Sequence, residues 1–245
     1  MPATPAWPPR SLPRLLVPPP LGEGVLVALD AAQANYLGAV LRLKVGGGVL
    51  LFDGVGGEWH ATVVEAGTKR MSLAVGQQTR PQEAVPDLTL AFAPIKKGRI
   101  DWLVEKAVEL GVARLQPVIT QRTIVDKLNL DRLRAHIVEA AEQCGRTALA
   151  VIDEPVKLDP WLRRRGTSAL YFADETGGAA AASNFAPGPA TILIGPEGGF
   201  TPDEAAAIRA APGAMAISLG PRILRAETAA LAAAAAWMAV AGDWR

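Results

Sequence analysis

The sequence predicts an α/β protein preceded by a small β-barrel, and three observations predict that order. Residues 21–80 carry short, turn-bounded β signals around a single helical stretch. Residues 81–87 (PQEAVPD) read as a linker. From residue 88 to 245, apolar strands alternate with amphipathic helices, the pattern of a largely parallel sheet covered by helices.

The first twenty residues hold Pro2, Pro5, Pro8, Pro9, Pro13, Pro18, Pro19 and Pro20, which favours an extended segment over packed helix. Strands are expected at Val25–Leu29, Val49–Phe52, Glu58–Glu65 and Arg70–Val75, with a helix at Ala31–Leu41. Asp53-Gly54 and Val55-Gly56-Gly57 form the turn before Glu58. They do not read as a dinucleotide loop, because alternating Trp59, Ala61 and Val63 follow them rather than a helix. After the linker, strand Leu88–Ile95 leads to helix Ile100–Leu110. Its apolar stripe is Ile100, Leu103, Val104, Ala107 and Val108, and Gly111 stops it. Strand Arg114–Thr120 and helix Asp131–Thr147 come next, followed by strands Ala169–Ala173 and Thr191–Ile194. Helix Pro202–Ala210, strand Ala214–Leu219 and helix Glu227–Val240 close the series.

Composition excludes several classes of function. Half of the 245 residues are hydrophobic and a fifth are charged, as in a globular domain. A net charge of +1 means that the whole surface is no polyanion binder, so local clusters decide. These are Lys96-Lys97-Gly98-Arg99, the pair Arg222 and Arg225, and Arg163-Arg164-Arg165, the last read as solvated surface charge. Cys144 is the only cysteine, which precludes an intramolecular disulfide and favours a cytoplasmic location. It falls on the apolar face of its helix, a packing position rather than that of a nucleophile. His60 and His136 are the only histidines, too few for a His-rich metal site, so no metal is expected. The N-terminus lacks the basic-then-apolar order of a signal peptide, and the apolar run Ala229–Ala241 is too short for a bilayer, so no membrane role is expected.

Two strand-to-helix loops carry the chemistry. Apolar Thr191–Ile194 reaches Gly195-Pro196-Glu197-Gly198-Gly199-Phe200, and the following helix start is strongly written: Thr201 as N-cap, Pro202 in the first turn, Glu204 completing a capping box. Ala216–Leu219 reaches Gly220-Pro221-Arg222-Ile223-Leu224-Arg225-Ala226-Glu227, where two arginines and a glutamate sit among apolar residues. Charge in such a turn is costly unless paired or functional. Loops at the carboxyl ends of sheet strands are where open α/β proteins bind ligands, and glycines there admit close backbone approach.

These two loops resemble the signature loops of the RsmE family, SPOUT-class methyltransferases acting on N3 of a uridine in 16S ribosomal RNA of the small ribosomal subunit. Lys97-Gly98, Glu109-Leu110-Gly111-Val112 and Glu142-Gln143-Cys144-Gly145-Arg146 match as well, and the resemblance runs from about Arg14 onward. It departs at Asn35-Tyr36, where a histidine is usual, at Ala226 in place of threonine, and at Cys144 in place of serine. The resemblance implies a PUA-like RNA-binding β-barrel and a SPOUT methyltransferase domain with a C-terminal trefoil knot. It also implies a homodimer and the cofactor S-adenosyl-L-methionine.

On that basis backbone groups around Gly195, Pro196, Glu197, Gly198, Leu219, Gly220 and Leu224 are expected to hold the adenosine part of the cofactor. Side chains of Leu193, Leu219, Ile223 and Leu224 are expected to line its adenine pocket. Arg225, with Arg222 second, is the candidate for stabilising the uridine anion or its phosphate, and Glu227 either orients Arg225 or caps the last helix. Arg42, Lys44, Lys96, Lys97, Arg99 and Arg122 are candidate phosphate contacts. The rival readings are a SPOUT methyltransferase for another base or a ribose 2′-hydroxyl, and a non-catalytic ribosome-assembly factor that binds RNA.

Overall fold

The computed structural model describes residues 12–67, 70–125, 127–174 and 177–244. Pro2, Pro5, Pro8 and Pro9 of the proline-rich segment therefore lie outside the described residues. Contacts divide the chain into two units: residues up to Ala84 with Ala141–Ala148, and Val85–Ala140 with Leu149 onward.

The first unit is a five-stranded sheet of β1 (Arg14–Leu16), β2 (Leu26–Ala28), β3 (Gly48–Phe52), β4 (Glu58–Glu65) and β5 (Ser72–Arg80), in the order β1-β3-β4-β5-β2. Only the β1–β3 pair is parallel. Val49, Leu51, Ala61, Val63, Leu73 and Val75 alternate along β3, β4 and β5 and point into one core. Helix α1 (Ala31–Asn35) is capped by Asp30, whose carboxylate accepts from Gln33 N at 2.8 Å. It passes into a π-turn at Tyr36–Val40 instead of continuing as regular helix to Leu41. Ala34 and Leu37 enter the core, and Arg42, with φ 57°, ends the turn in a left-handed conformation.

This unit reaches beyond the expected bounds of 21–80, because a buried ion cluster recruits chain from both sides. Glu58, fully buried, accepts from Arg14 Nε and Arg80 Nη2, each at 2.8 Å, and from Thr79 Oγ1 at 2.8 Å. Arg14 also donates to the carbonyls of Ala141 (2.7 Å), Glu142 (3.1 Å) and Arg146 (3.0 Å), and Arg80 to that of Gly145 (2.7 Å). Two guanidiniums thus satisfy carbonyls at the end of helix α3 (Leu130–Cys144), where intrahelical donors run out. The segment expected to be a free linker is likewise tied down: Glu83 accepts from Thr147 N at 2.9 Å and Ala148 N at 2.8 Å.

The second unit is a parallel sheet. Its strands are β6 (Leu88–Phe92), β7 (Arg114–Ile119), β8 (Val151–Ile152), β9 (Val156–Lys157), β10 (Ala169–Ala173), β11 (Ala179–Ala180), β12 (Ala190–Ile194) and β13 (Ala214–Ser218). They lie in the order β11-β13-β10-β12-β6-β7-β8, with β9 also on β7. The remaining helices are α2 (Arg99–Glu109), α4 (Leu158–Arg164), α5 (Ala181–Asn184), α6 (Pro202–Ala210) and α7 (Ala226–Val240). Leu158 and Trp161 of α4 and Ile208 of α6 pack with Leu170, Phe172 and Leu193 in one core. Helix α7 packs against α2, β12 and β6. Every residue of β12 is buried, as a strand with parallel neighbours on both sides requires.

The sequence reading has no element between residues 147 and 169, where β8, β9 and α4 lie. Arg165, expected to be solvated with its neighbours, instead donates to Pro212 O at 2.7 Å, and burial pulls its pKa below the usual arginine value.

Burial alone would raise the Glu58 pKa, but hydrogen bonds from Arg80, Arg14 and Thr79 outweigh it and hold the carboxyl below the ordinary value. Glu58→Gln breaks a buried pair and should cost about 3–5 kcal/mol in urea unfolding of the N-terminal unit. Because the folded pKa is the lower one, the stabilisation is complete above the unfolded value and is lost as pH falls through the folded one. The stability gap between parent and variant should therefore narrow below about pH 4.3, the usual glutamate value.

Candidate active site

Strands β12, β10 and β13 are hydrogen-bonded neighbours running in parallel, so their carboxyl ends emerge on one side of the sheet. There a cavity of about 1170 Å³ opens, lined by all three ends: Ile194 to Glu197 after β12, Phe172 to Asp174 at β10, and Ile217 to Ala226 after β13. The two sequence-marked loops thus face a single space. Its volume lies just above the range of about 300–1,000 Å³ common for small-molecule sites.

The loop after β12 is held from several directions. Thr201 caps α6 through its hydroxyl, which accepts from Glu204 N at 3.3 Å, while the Glu204 carboxylate accepts from Thr201 N at 2.9 Å. The other Glu204 oxygen accepts from Gln121 N at 2.7 Å, tying the loop after β7 to the same helix start. Arg122 Nη1 donates to Gly198 O at 2.6 Å. At Gly195 a Cβ would lie 3.1 Å from the Phe200 ring, so a side chain there would push the ring. Gly220 turns the other loop with φ 107°, a conformation that L side chains rarely adopt.

Of the residues expected to bind a cofactor, Gly195, Pro196, Glu197, Leu219, Gly220, Ile223 and Leu224 line the cavity. Leu193 does not. It is fully buried in the core beneath α4 and α6, and strand alternation gives its expected place to Ile194. Gly198 contributes its carbonyl to Arg122 and is not in the lining. Ile223 lies at the cavity with 92 % of its surface exposed.

The charged residues separate into two groups. Arg99, expected to meet phosphate, is bonded to Glu197 and lies 3.6 Å from Glu227. It ties the loop after β12 to the start of α7. Glu227, with a side chain only 11 % exposed, thus faces Arg99, and among the described residues it has no bond to Arg225. By contrast Arg222 and Arg225 are exposed at the cavity, with neither ion pair nor side-chain hydrogen bond among the described residues. Arg42 and Lys44 are exposed on the N-terminal unit, and Lys96 and Lys97 in the turn before α2. Phe172, Asp174 and Arg209, absent from the sequence reading, form a further wall. Arg209 is ion-paired to Asp174 and lies 5.8 Å from the Phe172 ring centroid. An acidic residue directly after a strand was the available signal.

A profile described as an RNA methyltransferase domain matches residues 81–238, and one described as an RNA methyltransferase PUA domain matches residues 29–75. A ribosomal RNA small subunit methyltransferase E of Rickettsia conorii is 34% identical over 207 residues, covering 83% of this chain and 85% of its own. The chain belongs to this RNA methyltransferase family. Another member, the ribosomal RNA small subunit methyltransferase E of Neisseria gonorrhoeae, has been solved bound to S-adenosyl methionine. It is 31% identical with a TM-score of 0.87, covering 96% of this chain and 100% of its own. A Legionella pneumophila protein described as a methyltransferase, solved with the same cofactor, is 29% identical at the same TM-score, covering 95% of this chain and 99% of its own.

The two groups of arginines should respond differently to substitution. Arg99→Met leaves the buried Glu227 carboxylate without its cation and should lower stability by about 1–2 kcal/mol. Arg225→Met removes no partner and should stay within about 0.5 kcal/mol of the parent. Thermal unfolding of the two variants side by side measures the contrast.

Proposed function

We propose that the chain transfers a methyl group from S-adenosyl-L-methionine to N3 of a specific uridine in 16S ribosomal RNA. The observation that carries this reading is the single cavity shared by the loops after β12 and β13. The family places the reaction among RNA methylations, and the relatives' name supplies the small-subunit ribosomal RNA.

The cavity fits the cofactor. Ile194, Leu219 and Leu224 offer apolar surface to an adenine, and glycine at 195 and 220 leaves backbone groups open to a ribose. When bound, the cofactor supplies an electrophilic methyl group that departs from a sulfonium, so no metal is needed. Uridine N3 carries a proton at neutral pH and becomes nucleophilic only on losing it. Arg225, with Arg222 beside it, faces the cavity uncommitted and stabilises the negative charge that spreads over O2, N3 and O4. Among the described residues the carboxylates near the cavity are engaged by arginines: Glu197 and Glu227 by Arg99, Asp174 by Arg209. That engagement favours transfer of the N3 proton to solvent.

The N-terminal unit serves as the PUA-like RNA-binding domain, with Arg42 and Lys44 on phosphates, and Lys96 and Lys97 do the same on the catalytic unit. Arg99 and Arg122, engaged within the protein, position the loop after β12 instead. The single cysteine favours a cytoplasmic location, and the family resemblance further implies a homodimer and a C-terminal trefoil knot. In support of the knot, β12 is laid down between β6 and β10, both formed earlier in the chain, and α7 then packs on β12 and β6. Among the described residues no helix is long and apolar enough to cross a membrane.

Three measurements test the reading. Mass spectrometry of ribosomal RNA from cells lacking the gene should show 3-methyluridine lost; loss of a 2′-O-methyl nucleoside in its place would overturn the assignment. Arg225→Ala should lower the methylation rate by about 10²–10³-fold while calorimetry still detects cofactor binding. Removing Arg42 or Lys96 should flatten the dependence of log affinity on log salt by about one unit each.

A further inference from the structure

Ile223 is a large apolar residue left in the open at the cavity. Its neighbour Leu224 is partly buried, while Ile223 projects into solvent at the rim of the cavity with 92 % of its surface exposed. The turn that carries it is anchored at both ends: Ser218 Oγ accepts from Gly220 N at 3.3 Å, and Arg225 O accepts from Ala229 N at 2.8 Å. The side chain is β-branched and stiff at χ1. Arg222 and Arg225, exposed and uncommitted among the described residues, flank it in the chain. A rigid apolar tip between two cations matches the surface of a stacked nucleic-acid strand, where apolar side chains enter between bases and cations hold the phosphates.

The proposed chemistry needs such a device. Uridine N3 lies on the base-pairing edge, and a nucleotide held in a stack must be turned out of it before that edge can enter a pocket. We propose that Ile223 is a wedge: it enters the base stack beside the target uridine and holds the gap open while the uridine turns into the cavity. Arg222 grips the adjoining phosphate, while Arg225 stays on the uridine anion. The inference rests on the reading of the chain as a uridine methyltransferase and adds how the nucleotide is extracted.

The test uses full-length protein and small ribosomal subunits reconstituted with two ribosomal RNAs. One RNA is natural; the other is abasic at the nucleotide next to the methylated uridine, so it has no stacked neighbour to part. Ile223→Ala should lower the ratio of methylation rates, natural over abasic, by about tenfold relative to the parent. Ile223→Val, still β-branched, should restore most of that ratio. An unchanged ratio, or an equal loss on both RNAs, overturns the wedge while leaving the enzyme assignment intact. Equal loss accompanied by a change of mass in sedimentation velocity would mean that Ile223 instead seats against a second copy of the chain, and that also overturns it. Absence of 3-methyluridine from both RNAs with the parent protein defeats the uridine reading itself, and the wedge with it.

Discussion

The arrangement of the catalytic unit follows from one constraint, the parallel pairing of three adjacent strands. Tyr171 of β10 is in register with Ile192 of β12 on one side and Met215 of β13 on the other. Strands locked in that register and direction must release their loops on the same side. The loops after residues 194 and 218 are more than twenty residues apart in sequence, yet they become opposite walls of one space with the end of β10 between them. Antiparallel pairing of β10 with either neighbour would send its end to the far side and remove Phe172, Ala173 and Asp174 from the cavity. Binding at this side of an open sheet is the general outcome for parallel α/β proteins.

Holding those walls still is a task divided among charged groups with different degrees of commitment. Arg99, Arg122 and Glu204 reach across from the ends of neighbouring elements and fix the loop after β12 by direct bonds. The loop after β13 receives fewer: a hydroxyl on Gly220 N and the backbone start of α7. Its two arginines stay free among the described residues. A guanidinium already bound to a carboxylate has little left to offer an anion, whereas an exposed, unpaired one loses nothing by meeting it. The division into structural and available arginines therefore follows from their partners and not from residue type, which is why Arg99 and Arg225 look alike in sequence and differ in place.

The same reasoning explains what was legible from sequence alone. Strands β4, β10 and α6 have the bounds that their patterning predicts, because alternation, a capping box and an N-terminal proline are local signals. Sheet order is not local. Nothing in Ala169–Ala173 says that this strand lies between β12 and β13, so Asp174 and Arg209 escaped notice. Leu193 and Ile194 are both apolar and close the same strand before the glycine loop, so residue type does not separate them. Which of two successive residues faces the cavity depends on strand phase, and the packing of α4 and α6 on one face of the sheet decides it. Elements such as β8 and β9, two residues each, are too short to carry any period. The π-turn at Tyr36–Val40 leaves no mark in residue spacing that distinguishes it from the α-helix before it.

The N-terminal unit makes a different physical point about ionic groups. A carboxylate buried as fully as Glu58 would be a liability alone, since its desolvation opposes ionisation. Two guanidiniums and a hydroxyl reverse that balance, and the guanidiniums do not stop at the carboxylate. Their remaining N–H groups go to four carbonyls from Ala141 to Arg146, groups that a helix end would otherwise leave to water. Apolar residues of similar size at 14, 58 and 80 could fill the volume but could not donate to those carbonyls. The ion cluster is thus what makes residues 141–148 part of the N-terminal unit, although sixty residues of chain separate them from its last strand. Sequence distance misleads here for the same reason as in the catalytic unit: the bonds that define a unit need not join residues that are neighbours in the chain.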